Sequence, residues 1–264
     1  YFGATSCISC PAGRYSTIIK ATSLNDCKKC PVGTYNPLPG QNSSSACMDC
    51  PAGTYQDSEG STSCIVCPAG TYSQTIRANN SNTCKKCPAG TYSELAKATS
   101  PDYCLPCPAG TYSNTEGANN LNLCKECPAG TYSGEKATSC TKCPPGTYNV
   151  APKSTNCINC PPGTFQPNYG ANSSSACMIC PTGTYSPNFA SSSCMKCPAG
   201  TYSTAIGATS SDTCIQCPAG SYSTVEGAES RFTCIKCPPG TYSEVSGANS
   251  SSTCQSCPPG TYSE

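Results

Sequence analysis

"CKKCPAGTYS", residues 84–93, holds the choice on which the fold turns. A CxxC followed by Pro and Gly serves as a metal knuckle, a redox site or a node of structural disulfides, and each implies a different protein. Near-copies recur down the whole chain. CxxC begins at Cys7, Cys27, Cys47, Cys64, Cys84, Cys104 and Cys124, then at Cys140, Cys157, Cys177, Cys194, Cys214, Cys234 and Cys254. Nine of the thirteen steps are 20 residues, three are 17 and one is 16, so the chain is a tandem array in which each unit leans on its neighbours. Pro follows every CxxC and Gly comes two residues later. Two residues beyond that Gly stands Tyr in thirteen units and Phe165 in the other.

Composition explains why such a unit needs a staple. Leu, Ile, Val and Phe together make 25 of 264 residues, far below what a globular core requires. Disorder from apolar poverty normally brings high net charge, yet 15 basic residues here face 14 acidic ones. Cysteine replaces the core. Its 28 residues exceed one in ten, a density that belongs to disulfide scaffolds made in an oxidising compartment. A net charge of +1 with scattered Lys and Arg offers no stripe for nucleic acid, and no apolar run is long enough to span a bilayer. The chain opens on "YFGATSC" and closes on "CPPGTYSE", which read as the tail of one module and the start of another. Residues 1–264 are therefore expected to be one continuous array of about thirteen modules, a window from a longer chain.

The local reading places a short strand at "GTYS" and a return strand at "GATS", with a turn between them. That turn ends in Gly in seven units, including Gly40, Gly60 and Gly117, which suits positive φ. Lys20, Arg77 and Lys97 hold the same place, so the requirement reads as a loose one. The Gly after C-P-x never varies, and marks either a special backbone angle or room for Tyr to lie over the chain. Short units lack three residues just before the first Cys, which locates an exposed loop there. Pro, Gly, Ser and Thr throughout, without a 3.6-residue apolar period, argue against helix.

Zinc is the first alternative, because most consecutive CxxC pairs leave 16 residues between them, a recognised four-cysteine spacing. Such sites would group the units by twos, and the spacings do not alternate. A redox CxxC needs a thiol pKa lowered by a helix N-terminus, which nothing in the pattern supplies. Structural disulfides remain, and wiring that treats all units alike takes two simple forms. In one, each second Cys of a CxxC joins the first Cys of the next: Cys10–Cys27, Cys30–Cys47, Cys50–Cys64, Cys67–Cys84, Cys87–Cys104, Cys107–Cys124 and Cys127–Cys140, then Cys143–Cys157, Cys160–Cys177, Cys180–Cys194, Cys197–Cys214, Cys217–Cys234 and Cys237–Cys254. In the other, crossed pairs such as Cys7–Cys30 and Cys27–Cys50 overlap. Spacing alone allows both.

The "CPAGTYS…C" unit resembles the ephrin-receptor-like cysteine-rich repeat of secreted and surface proteins, and is similar to the small one-disulfide module of tumour-necrosis-factor-receptor repeats. The resemblance runs over the whole chain. It implies that the Cys before Pro-x-Gly-x-Tyr closes forward onto the next Cys, as in Cys87–Cys104, with an aromatic such as Tyr92 packed beside the bridge. Tumour-necrosis-factor receptors interpose larger two-disulfide modules, whereas this chain repeats the small one without interruption.

The expected fold is thus a small disulfide-rich all-β array, an elongated solenoid of hairpin modules of about 20 residues without a central hydrophobic core. Sequons at Asn42, Asn79, Asn172 and Asn249 make glycans the expected covalent partners. Aliphatic residues fill the first x of CxxC in nine units (Ile8, Met48 and Ile65 among them), and are read as packing against Tyr. With no His and no carboxylates at repeated spacing, no catalytic constellation can be drawn, and no cofactor or metal is expected. Near-identical modules suit an extracellular or cell-surface stalk or filament that self-associates, similar in style to repeats of protist and algal surface proteins, flagellar hairs included. The alternative is a receptor or adhesin ectodomain. Its divergent stretches, such as "SPDYCLP" (100–106) and "EGAESRFT" (226–233), are scattered along the chain.

Overall fold

A computed structural model describes residues 6–264, so most of the opening "YFGATSC" lies outside the described residues. The chain falls into two compact units, one of residues 1–126 with 134–140, the other of 127–133 with 141–264. Both are built from the same module.

The module from Cys30 to Cys50 is representative of the first unit. Pro31 opens a tight turn: its carbonyl accepts from the Thr34 amide at 3.2 Å and from Thr34 Oγ1 at 2.7 Å. Gly33 sits inside this turn at φ +78°, a conformation that disfavours any residue with a Cβ. The strand Thr34–Tyr35 follows and pairs antiparallel with Met48–Asp49, the middle of the next CxxC; Tyr35 faces Met48 and Thr34 faces Asp49. The Cys50 amide closes this two-stranded sheet on the Gly33 carbonyl at 2.9 Å. The return strand is therefore the CxxC dipeptide and not the "GATS" stretch, because only there does the disulfide hold the chain beside Tyr.

The "GATS" position pairs across modules. Tyr72, Tyr92 and Tyr112 of the first unit form parallel bridges with Ala98, Ala118 and Ala137, each one module further on. In the second unit Tyr148, Tyr185, Tyr202 and Tyr222 do the same with Ala171, Ala208, Ala228 and Ala248. Within each unit three backbone hydrogen bonds recur from module to module. Gly33 donates to the Gln56 carbonyl at 2.7 Å, Asn36 donates to Ser61 at 3.0 Å, and Gly60 donates back to Cys30 at 2.8 Å. In the second unit Gly163 donates to Ser186, Gln166 to Ser191 and Ala190 back to Cys160, at 2.8, 3.0 and 3.0 Å. The modules thus satisfy one another's backbone, which a two-stranded hairpin cannot do alone.

A second contact reaches two modules ahead. A Cβ on Gly13 would overlap the carbonyl of Gly60, and one on Gly70 that of Gly117; in the second unit Gly146 meets Ala190 and Gly183 meets Gly227 in the same way. The invariant Gly therefore answers two demands at once, positive φ and the close approach of a carbonyl. The backbone that lies over it is a turn two modules on, where the sequence offered Tyr.

That turn is strict in conformation although loose in sequence. Lys20, Arg77, Lys97, Lys136, Lys153 and Ala190 adopt φ between 57° and 64° where other modules place Gly. Each non-glycine residue accepts roughly 1–2 kcal/mol of left-handed strain to keep the turn. Ala190→Gly, which removes that strain, is expected to stabilise its module by about 1 kcal/mol. Amide exchange of Gln166, which donates to Ser191, should slow by about fivefold; unchanged or faster exchange would contradict the assignment.

The three extra residues of long modules form single 3₁₀ turns, Ser44–Ala46, Ser81–Thr83 and Pro101–Tyr103 in the first unit, Ser174–Ala176 and Ser211–Thr213 in the second. The preceding Ser or Asn caps each of these turns, with Ser43 Oγ accepting from Ser45 N at 3.2 Å as an example. The absence of an apolar period excluded α-helix but not these capped turns, whose signal is the cap alone. They contain no buried residue, which is why modules such as Cys50–Cys64 dispense with them.

What is buried is a thread of small and polar atoms. Cys30, Cys50, Cys67 and Cys87 in the first unit and Cys160, Cys180 and Cys197 in the second are fully inaccessible, and Ala98, Ala118, Ala228 and Ala248 are buried with them. Beside them lie Asn36, Ser73, Ser203 and Ser223, the residues after the aromatic. Their side chains accept local amides, as Ser73 Oγ does from Thr75 N at 3.3 Å, so their burial leaves no polar group stranded.

Candidate functional site

The feature repeated in every module is the staple with the aromatic face beside it. In the first unit disulfides join Cys10 to Cys27, Cys30 to Cys47, Cys50 to Cys64, Cys67 to Cys84, Cys87 to Cys104 and Cys107 to Cys124. In the second they join Cys143 to Cys157, Cys160 to Cys177, Cys180 to Cys194, Cys197 to Cys214, Cys217 to Cys234 and Cys237 to Cys254. Cys127 and Cys140 are also oxidised to disulfides, and Cys7 and Cys257 are free. The Cα–Cα spans are 5.5 to 5.8 Å, within the ordinary range for a disulfide. None of these twelve bridges follows the crossed scheme.

Within one CxxC the two sulfurs serve different modules. Cys47 closes back on Cys30, while Cys50 closes forward on Cys64. The Met48–Asp49 dipeptide between them is the second strand of the earlier hairpin. Each of the twelve CxxC motifs from Cys27 to Cys237 is thus the seam between modules, with both thiols consumed and no thiolate pair left for a metal or a substrate disulfide. The bridging sulfurs impose on each hairpin the closure that its few apolar side chains could not.

The aromatic residue is half-buried, and the first x of the CxxC faces it across the sheet. Tyr55 opposes Ile65 and Tyr92 opposes Leu105 in the first unit; Phe165 opposes Met178 and Tyr202 opposes Ile215 in the second. These pairs are the cross-strand contacts that stabilise an isolated hairpin. They also remain open to solvent on one side: Ile65 is 42% exposed and Ile215 50%. Each unit therefore carries a repeated, half-exposed apolar pair at one place in its modules.

The four sequon asparagines are exposed, and all occupy the same position. Asn42, Asn79, Asn172 and Asn249 each stand directly before the residue that caps a 3₁₀ turn: Ser43, Asn80, Ser173 and Ser250. The hydroxyl required two residues on is then the first residue of the turn, which sets it at the surface. Among the described residues no helix is long and apolar enough to cross a membrane.

Fold and seam together define a class: tandem cysteine-rich repeats in which each hairpin is closed by one forward disulfide. Six segments of the chain, 17–63, 40–82, 75–124, 130–177, 168–214 and 210–254, match the family model described as "Tyrosine-protein kinase ephrin type A/B receptor-like". The chain belongs to this ephrin-receptor-like family. No curated protein matches it. The number of disulfides and the family point to an extracellular or cell-surface location.

Proposed function

We propose that the protein is an extracellular structural glycoprotein whose modules form a stalk or filament. The observation that carries this reading is the sameness of the step. Within each unit, successive modules present their neighbours with the same three backbone bonds and the same closed disulfide, so load is shared evenly along the unit. Local closure also confines the damage from a single proteolytic cut. Glycans at Asn42, Asn79, Asn172 and Asn249 supply the solubility that few charges provide, and the exposed Tyr–aliphatic pairs offer repeated contacts for self-association. The reading is non-catalytic. A receptor or adhesin ectodomain is the alternative; one module, Cys87–Cys104, favours it by placing Tyr103 directly before the closing cysteine, a position at which no other 3₁₀ turn among the described residues carries an aromatic.

The test is the intact mass of the chain from a secretory host, alkylated without reduction. The expected result is alkylation only of Cys7 and Cys257 and a mass above 27.0 kDa in sugar-sized steps, with fibres or bundles in electron micrographs. Alkylation at most cysteines with no added sugar would overturn the extracellular reading. An oxidised, glycosylated chain that stays monomeric at high concentration would remove the filament and favour the ectodomain.

A further inference from the structure

We propose that the groove of module Cys87–Cys104 is a docking site for a basic side chain, lysine or arginine, of an extended partner polypeptide. The groove encloses about 240 Å³. Its apolar wall is the cross-strand pair Tyr92 and Leu105, joined by Leu95 from the loop and Tyr103 from the 3₁₀ turn. Modules elsewhere set Thr83, Thr213, Thr233 or Thr253 at the Tyr103 position, so the second aromatic wall belongs to this module.

Two carboxylates line the same groove, Glu94 and Asp102. Ser100 holds Asp102 in place: its hydroxyl donates to Asp102 Oδ2 at 2.6 Å and accepts from the Asp102 amide at 3.1 Å. Glu94 Oε1 accepts from the Leu121 amide at 3.3 Å, which fixes it against the next module. Among the described residues neither acid is paired with a basic side chain, so their negative charge faces the opening uncompensated.

A third observation is independent of the acids. Ser93, which also lines the groove, is 1% exposed, and its hydroxyl has no hydrogen-bond partner. The corresponding Ser73, Ser113, Ser203, Ser223 and Ser243 each accept from the amide two residues on, at 3.3 to 3.4 Å. In this module alone of these six the local bond is missing, which leaves a buried hydroxyl beside the groove with its hydrogen-bonding capacity unspent.

These features describe one occupant. An arginine or lysine carries an aliphatic stem that fits Leu95 and Leu105, and a cationic head with several donors and no acceptor. The head meets the tyrosine faces and the two acids together. A neutral pyranose would stack on the tyrosines but leave both carboxylates uncompensated, so the charge favours the basic side chain.

The experiment titrates the full chain, with ¹³C-labelled tyrosine rings, against the peptide acetyl-Gly-Arg-Gly-amide. Acetyl-Gly-Gln-Gly-amide and methyl glucoside serve as comparisons. Tyr92 and Tyr103 resonances are assigned from their phenylalanine variants. The expected result is saturable shifts at Tyr92 and Tyr103 with the arginine peptide. Binding should weaken at least about fivefold in Asp102→Asn and when ionic strength rises about tenfold. Tyr103→Thr, a residue that other modules carry at this place, should abolish the shifts while the remaining rings keep their positions. Absence of shifts up to about 20 mM, equal shifts at tyrosines of other modules, an unaltered Asp102→Asn affinity, or a response to methyl glucoside instead would each overturn the proposal.

Discussion

Replacing Cys107 and Cys124 together by alanine is expected to remove about 3 kcal/mol from one module and little from modules further along its unit. The bridge closes a sequence separation of 17 residues, and Cys107 is wholly buried, so alanine avoids stranding a hydroxyl there. The module depends on this closure because its sheet has two residues per strand and its buried side chains are Ala, Ser and Thr. Its neighbour depends on the module in turn: Gly90 donates to Ser113, Ser93 to Ala118, and Gly117 back to Cys87. Hydrogen exchange at those three amides should accelerate by about a hundredfold, while Gly33 and Asn36, bonded to Gln56 and Ser61, keep their protection. Loss of protection throughout the unit would show one cooperative body in place of a chain of modules. No change at all would mean that the interlocked backbone suffices without its staple.

The second large effect separates the two demands on the invariant glycine. Gly70 and the turn glycine Gly170 sit at φ +81° and +77°, so alanine brings similar left-handed strain, roughly 1–2 kcal/mol, to each. At Gly70 the new methyl would also overlap the Gly117 carbonyl, whereas at Gly170 the nearest atom is in the Lys142 side chain at 3.6 Å, an ordinary contact. Gly70→Ala is therefore expected to destabilise by about 2 kcal/mol more than Gly170→Ala, because backbone must shift in two modules to admit it. The difference should appear as exchange of Gly117, whose amide donates to Cys87. Equal effects at the two positions would show that φ alone explains the glycine and that the contact two modules ahead carries no weight.

The array, its period and its means of stabilisation were legible in the sequence because each is a local or compositional property. Fourteen copies of C-x-x-C-P-x-G, with only 25 Leu, Ile, Val and Phe residues in the whole chain, leave covalent closure as the route to order. The loop that tolerates deletion was visible as well, since long and short units align on either side of it. What escaped was everything settled between modules. Tyr35 names no partner, and only the folded seam puts it opposite Met48 and not opposite the "GATS" position of its own module. Lys97 and Arg77 disguised a left-handed turn, because surrounding hydrogen bonds can hold a lysine at positive φ and composition does not record that force.

The divergent "SPDYCLP" stretch looked like noise in a repeat until the fold set Tyr103 and Asp102 around the same groove as Tyr92 and Glu94. By itself, the sequence determined that this protein is a chain of stapled hairpins. Tertiary structure alone decided which strands pair, why Gly13 admits no side chain beneath Gly60, and which module differs from the rest. The reason is range. Spacing along the chain reports on neighbours within one module, whereas these features arise between residues brought together from one or two modules away.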